Sequence, residues 1–115
     1  MNDILRRGDI VLVDFDPARA NEANKRRPAV VITNNLANLH GSSIVVVPLS
    51  SNIQNVYPFQ LLINLERSSL NFDSKAQVEL LRSVSISRVI KLIGHLPEDL
   101  MTELDNRLKL HLGLN

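Results

Sequence analysis

The stretch DIVLVDF, from Asp9 to Phe15, decides the fold class. It is rich in β-branched residues and apolar at neighbouring positions, which is typical of a strand covered on both faces. Asp16 and Pro17 then end the strand, since such a pair breaks regular structure. Residues 18–27 contain almost nothing that could enter a core, so we expect a long surface loop before the next strand.

Further strand patterns follow along the chain. Pro28–Thr33 (PAVVIT) and Ser43–Leu49 (SIVVVPL) predict the second and third strands. Pro48 has no N–H to donate, so we expect its end of the third strand at a sheet edge. The other predictions are a short helical turn within residues 34–40 and strands at Pro58–Asn64, at Ser74–Leu81 (with Ala76, Val78 and Leu80 on one face) and at Val89–His95.

The C-terminal residues change period. Leu100, Leu104 and Leu108 recur every four residues, which predicts an amphipathic helix. Pro97 suits its first turn and Gly113 its end. The pattern as a whole predicts a mainly β, α+β fold in one domain spanning residues 1–115. We expect a strongly curved antiparallel sheet, or small SH3-like β-barrel, of five to six strands with a C-terminal α-helix.

The composition limits the classes of function. The chain has 115 residues, of which 44% are hydrophobic, and it contains no Cys, so disulfides and thiolate metal sites are excluded. Aromatic residues make up only 3%, which argues against a base-stacking platform built from several exposed rings. The N-terminus lacks the apolar core of a signal peptide, and no apolar run approaches membrane-spanning length. We therefore expect a cytoplasmic protein without a membrane partner.

The distribution of charge is more informative than its total. The formal net charge is only +1, but residues 17–96 contain nine Lys or Arg and four Asp or Glu, which leaves +5 in that segment. A local basic surface of this kind can bind phosphates. The alternative is a set of solvated charges scattered over all faces.

Several motifs occur together in a characteristic order. Gly8–Val11 (GDIV), Asp14–Pro17 (DFDP) and Arg27–Val31 (RPAVV) resemble the N-terminal motif of the MazF/PemK toxins, in which a strand opening with GD leads to a loop that ends in RPxVV. The resemblance covers nearly the whole chain, and its further matches are Val47–Ser51, Tyr57–Phe59, Lys75–Gln77, Leu81–Ser83 and the helix beginning at Pro97.

The resemblance implies a toxin of a type II toxin–antitoxin system. Such a toxin is a sequence-specific, metal-independent endoribonuclease that cleaves single-stranded RNA. The RNA 2′-hydroxyl attacks the adjacent phosphorus and leaves a 2′,3′-cyclic phosphate and a 5′-hydroxyl. The resemblance also implies a homodimer, a cognate antitoxin as partner and no cofactor. The sequence departs from the family at residues 20–25 (ANEANK), where the family often has glycines, so loop geometry and target preference are not carried over.

The family motif assigns catalytic roles to three residues. Arg27 matches the functional arginine, and its guanidinium suits the charge that develops on the phosphate. Glu22 has the spacing of the family's acidic loop residue and would accept the 2′ proton or hold Arg27 in position. Ser50 would donate a hydrogen bond to a phosphate oxygen, although a serine there also suits a turn cap. The candidates for RNA binding are Lys25, Arg26, Ser51, Gln77, Glu79 and Arg82.

Other interpretations remain open on the sequence. His40, His95 and His111 lack paired ligand spacing, so we predict no metal site and interpret them as structural or exposed. One rival is a CcdB-like gyrase poison with the same fold, and another is a non-catalytic barrel that binds RNA or protein. The retention of Arg27 and Ser50 argues against both.

Overall fold

The computed structural model describes residues 4–15 and 26–115. Among these residues it contains seven strands and two α-helices. Every strand and helix predicted from the sequence is present in some form, while one short strand was not predicted. The strands are β1 (Asp9–Asp14), β2 (Arg26–Val31), β3 (Ser43–Ser50), β4 (Leu61–Ile63), β5 (Ser74–Ala76), β6 (Arg82–Ser85) and β7 (Val89–His95), and the helices are α1 (Asn35–His40) and α2 (Glu98–Leu112).

The strands form one antiparallel sheet in the order β4-β5-β3-β2-β1-β7, with β6 also paired to β3. The predicted mainly β fold with a C-terminal helix is therefore confirmed. Two details differ from the prediction. The described residues provide seven strands rather than five to six, and no pairing among them joins β7 to β4 or β6. The sheet is curved but does not close into a barrel.

The third strand is the point at which the sheet branches. One side of β3 pairs with β2, and the other pairs with β6 along Ser43–Val46 and with β5 along Leu49–Ser50. The prediction that Pro48 lies at a sheet edge is wrong, because Pro48 lies between the part of β3 that pairs with β6 and the part that pairs with β5. Its carbonyl accepts a hydrogen bond from the Gln77 N–H at 2.9 Å. A backbone N–H at position 48 would point to the same side as this carbonyl, where β3 changes its partner from β6 to β5. The proline therefore costs the sheet no hydrogen bond.

The central strands β1 and β2 contribute buried residues to both faces of the sheet, as the sequence predicted for β1. Ile10 and Val30 face one core, while the residues that follow them, Val11 and Val31, face the other. The core on the side of α2 is formed by Ile10, Val30, Val47, Leu49, Leu61, Ile63, Ala76, Val78, Leu96, Leu100, Met101, Leu104 and Leu108. The second core, enclosed by the curvature of the sheet, is formed by Leu5, Val11, Val13, Phe15, Ala29, Val31, Ile44, Val46, Val84 and Val89.

Helix α2 packs against the sheet through the predicted leucine stripe. Leu100, Leu104 and Leu108 are all buried, and Gly113 ends the helix in the left-handed conformation at φ 71°. Polar contacts also fix the helix. The guanidinium of Arg7 donates to both carboxylate oxygens of Asp105, which ties the segment before β1 to the helix.

Two predicted strands are shorter than expected. Backbone pairing begins at Leu61 because a turn precedes it, in which the Gln60 N–H donates to the Tyr57 carbonyl at 2.8 Å. The predicted strand at Ser74–Leu81 ends at Ala76 and continues as a 3₁₀ turn over Val78–Leu80. The turn removes the two-residue alternation, so Leu80 is exposed instead of sharing a buried face with Val78.

Replacement of Leu104 by Ala tests the contribution of the helix. Leu104 is completely buried between α2 and the sheet. We expect Leu104→Ala to lower the free energy of unfolding by about 2–5 kcal/mol, through lost apolar burial and the cavity left behind. Urea denaturation measures this change. The control is Leu36→Ala on α1, which removes the same atoms from an exposed position and should change stability by less than about 0.5 kcal/mol. Equal effects of the two substitutions would contradict this packing.

Candidate functional site

Arg27 lies where the core ends on β2. It pairs with Val13 of β1 and is exposed, whereas Ala29 and the two residues after it are fully buried. Burial of the strand immediately after Pro28 fixes the backbone of Arg27 while leaving the guanidinium in solvent. The sequence folds in this way because the apolar run that ends β2 begins two residues after Arg27.

Ser50 lies at the end of β3 and pairs with Lys75 of β5. Its Oγ accepts a hydrogen bond from the Asn52 N–H at 3.1 Å, which is the turn-capping geometry. A hydroxyl that accepts one hydrogen bond can still donate its own hydrogen. Ser50 can therefore cap the turn and also donate to a ligand.

Arg27 and Ser50 line the same open cleft, whose volume is about 570 Å³. The described residues that line it include three basic side chains and no Asp or Glu, so this part of the cleft attracts anions. Five strands (β1, β2, β3, β5 and β7) and the segment between β4 and β5 contribute to it. The lining consists of Leu12, Arg26, Arg27, Pro28, Leu49, Ser50, Ser51, Ser69, Leu70, Asn71, Phe72, Ser74, Lys91 and Ile93.

The sheet register explains how Lys91 reaches the cleft. Leu12 of β1 pairs with Pro28 of β2 on one side and with Lys91 of β7 on the other. Directly paired residues of adjacent strands project to the same face, so the three form one row across the sheet. This row places Lys91 on the cleft, with β1 between its strand and the strand that carries Arg27. Lys91 is one of the nine basic residues in the 17–96 segment, but no local pattern in the sequence indicates that it lies on the cleft.

The predicted site residues divide into three groups. Arg27, Arg26, Ser50 and Ser51 meet at the cleft, whereas Glu22 and Lys25 lie outside the described residues. The last group, formed by Gln77, Glu79 and Arg82, does not line the cleft.

Each member of that last group has its own surroundings. Glu79 Oε2 accepts a hydrogen bond from Gln60 Nε2 at 2.7 Å. The guanidinium carbon of Arg82 lies 5.6 Å from the centre of the Phe15 ring. Gln77 Oε1 and Glu79 Oε1 are buried and have no hydrogen-bond partner among the described residues.

The histidines lie apart from one another and from the cleft. His40 is exposed on α1, His95 Nδ1 lies 2.9 Å from Asp9 Oδ1, and the His111 ring lies 5.7 Å from that of Phe59. Within residues 4–15 and 26–115, no group of three or more His, Cys, Asp or Glu side chains could hold a metal ion. No helix in these same ranges is long and apolar enough to span a membrane.

Comparison with known proteins identifies the family. Residues 6–112 match the PemK-like, MazF-like toxins of type II toxin–antitoxin systems. The chain is 47% identical to endoribonuclease MazF9 of Mycobacterium tuberculosis, in an alignment of 116 residues covering 96% of this chain and 98% of the relative.

Solved structures share the fold. One is a MazE–MazF structure from Deinococcus radiodurans, with a TM-score of 0.82 and 22% identity over 99% of this chain and 100% of the other. Another is a mycobacterial endoribonuclease in complex with its cognate antitoxin, with a TM-score of 0.78 and 17% identity over 100% and 98% of the two chains. The family match and the 47% identical relative together establish that this chain belongs to the PemK-like, MazF-like toxins of type II toxin–antitoxin systems.

Proposed function

We propose that this MazF-like endoribonuclease cleaves single-stranded RNA at specific sequences, without a metal ion, by attack of the RNA 2′-hydroxyl on the adjacent phosphorus. The new P–O bond forms as the bond to the leaving 5′ oxygen breaks. The 2′-hydroxyl loses a proton and the 5′ oxygen gains one, which gives a 2′,3′-cyclic phosphate and a 5′-hydroxyl. The observation that carries the proposal is the meeting of Arg27 and Ser50 on one basic cleft. The identity to a relative named as an endoribonuclease supports the same reaction.

Arg27 would stabilise the charge that develops on the phosphorane. A guanidinium can donate to two phosphate oxygens at once, and it keeps its charge throughout the reaction. Ser50 would donate a further hydrogen bond to a phosphate oxygen from the end of β3. Arg26, Ser51 and Lys91 would then contact the neighbouring phosphates, because all three line the same cleft.

Proton transfer requires a further group. Glu22 would accept the 2′ proton or hold Arg27 in position, as the family motif implies. A carboxylate repels phosphate, so a glutamate on this loop is better suited to those roles than to binding the RNA backbone. Lys25, on the same loop, would add a phosphate contact.

The three candidates outside the cleft differ in their suitability for RNA contacts. Arg82 is exposed and can reach nucleotides that extend beyond the cleft. The unpaired oxygens of Gln77 and Glu79 are buried, so contact with RNA would require those side chains to turn outward. We therefore propose Arg82 as the strongest of the three.

We also propose that the toxin acts in the cytoplasm as a homodimer that a cognate antitoxin inhibits. Leu110 and Leu112 at the end of α2 and Leu114 just after it are exposed, as are Ile90 and Leu92 on β7. Exposed apolar side chains of this number favour association with a second copy. The basic cleft suits an acidic antitoxin segment through charge complementarity, and related structures contain MazE or a cognate antitoxin.

Mapping of cleavage products tests the reaction itself. We expect purified protein to cut end-labelled single-stranded RNA pools at discrete sites in excess EDTA, leaving cyclic phosphate and 5′-hydroxyl ends. Sequencing of the products gives the recognition sequence. An absence of cleavage across diverse RNA, including transfer RNA, would contradict the proposal, and inhibition of DNA gyrase would then favour the gyrase-poison alternative.

The Arg27→Ala variant tests the central assignment. Removal of a preorganised donor to the developing charge should lower kcat/KM by about 10²–10³-fold. The thermal unfolding midpoint should stay unchanged because the side chain is exposed. Arg6→Ala is the control, since it removes the same charge from an exposed residue that does not line the cleft. Full activity in a folded Arg27→Ala variant would exclude this role for Arg27.

Glu22→Gln separates proton transfer from binding. If Glu22 is the general base, single-turnover cleavage at saturating RNA should slow by about 10²–10⁴-fold. The Kd for the same strand with a 2′-deoxy sugar at the cleavage position should change little, because that strand cannot react. Comparable losses in rate and affinity would instead assign Glu22 a purely positional role.

A further inference from the structure

One aromatic ring stands exposed on the cleft. Phe72 is 67% exposed and lines the cleft together with Asn71, Arg27 and Ser50. Burial of a phenylalanine side chain removes a large apolar surface from water and so stabilises a protein, yet this ring contributes to neither core. Of the described large apolar side chains that are exposed, Phe72 alone lines the cleft.

The segment that carries Phe72, the 64–73 loop between β4 and β5, is held at both ends. Asp73 Oδ1 accepts a hydrogen bond from the Leu65 N–H at 2.8 Å, which closes the loop on itself. The Ser74 hydroxyl donates to the Phe72 carbonyl at 3.2 Å. At the other end, the Arg67 guanidinium donates to Asp99 of α2 at 2.6 Å, and this hydrogen bond lowers the pKa of the Asp99 carboxyl.

The middle of the 64–73 loop is packed tightly against β7. Ser68 is buried, and its Oγ accepts a hydrogen bond from the Leu70 N–H at 3.1 Å. A Cβ atom at Gly94 would lie only 3.0 Å from the Ser68 carbonyl oxygen, so the approach depends on glycine. Ser69 has a φ of 63°, the left-handed conformation that a non-glycine residue adopts at some cost. These contacts fix the backbone that presents Asn71 and Phe72 to the cleft.

We propose that Phe72 stacks on a nucleobase of the substrate RNA, and that Asn71 contacts the edge of a base beside it. This inference rests on the proposed function and assigns it a specificity-determining contact. The cleft combines basic side chains for an anionic backbone with an exposed ring for a planar apolar group, which together match a nucleotide strand. The amide of Asn71 offers both donors and an acceptor, as base edges require.

The ring and the phosphate-binding residues have separate effects on affinity. Phosphate contacts depend on charge and salt, whereas stacking requires a base. Leucine keeps an apolar side chain at position 72 but cannot stack. Phe72→Leu should therefore weaken the binding of a strand with bases and leave an abasic strand unaffected.

The experiment uses single-stranded 2′-deoxy oligonucleotide pools, which lack the attacking hydroxyl and cannot be cleaved. Anisotropy titrations compare the wild type with Phe72→Leu on a randomised pool and on an abasic strand of equal length. We expect Phe72→Leu to raise the Kd for the randomised pool on the order of 10-fold, with no change on the abasic strand. Tyr57→Leu is the control, because it removes an exposed ring that does not line the cleft.

A second variant provides a direct signal. The chain contains no tryptophan, so Phe72→Trp introduces a single indole that can still stack. Its fluorescence should be quenched by the randomised pool and not by the abasic strand, while the indole of Tyr57→Trp should respond to neither.

These results distinguish the stacking contact from the proposed reaction. Base-dependent binding and quenching in a protein that does not cleave RNA would uphold the role of Phe72 and contradict the cleavage mechanism. Equal affinity of Phe72→Leu and wild type for the randomised pool would overturn the stacking role, as would equal losses on both strands. Unchanged oligonucleotide binding with weaker binding of a leucine-containing acidic peptide would assign the ring to an antitoxin contact, and would also overturn it.

Discussion

The burial of β1 and β2 on both faces is the constraint on which the rest of the structure depends. Ile10 and Val30 pack toward α2, while Val11 and Val31 pack into the core enclosed by the curved sheet. A one-residue slip in the β1–β2 register would exchange these two sets, so burial on both sides specifies the register strongly. That register brings Arg27 opposite Val13, at the point where the cores end.

The candidate site is therefore a consequence of where the cores stop. Apolar residues run without interruption from Ala29 to Ile32, and the basic residues that precede them cannot enter either core. The end of β3 behaves in the same way, with Leu49 buried and Ser50 at the cleft. Polar groups on backbone that the core holds in place are well suited to binding, because little conformational freedom remains to be lost when a ligand arrives.

The sequence predicted those parts of the fold whose periodicity is local. The apolar run of β1 and the leucines spaced four residues apart in α2 can be recognised without knowing which elements pack against them. Both predictions are confirmed. β6 was missed because its sequence, RSVS, contains one apolar residue, Val84, and depends on pairing with β3. Pro48 was misplaced for the same reason, since the branching of β3 is a tertiary feature. Lys91 likewise reaches the cleft only through the pairing of β7 with β1.

Composition is an average, whereas a binding contact depends on position. The scarcity of aromatic residues argues against a surface built from many stacking rings. A low aromatic content does not exclude a single ring, such as Phe72, that a folded loop holds at a basic cleft. Phe72 lies in a polar stretch, SSLNFDS, where no periodicity marks it as buried or exposed. Its placement arises from the hydrogen bond between Asp73 and Leu65 within the loop and from the close approach of Ser68 to Gly94 on β7. Neither contact can be recognised from a local sequence pattern, because both form only once the chain has folded.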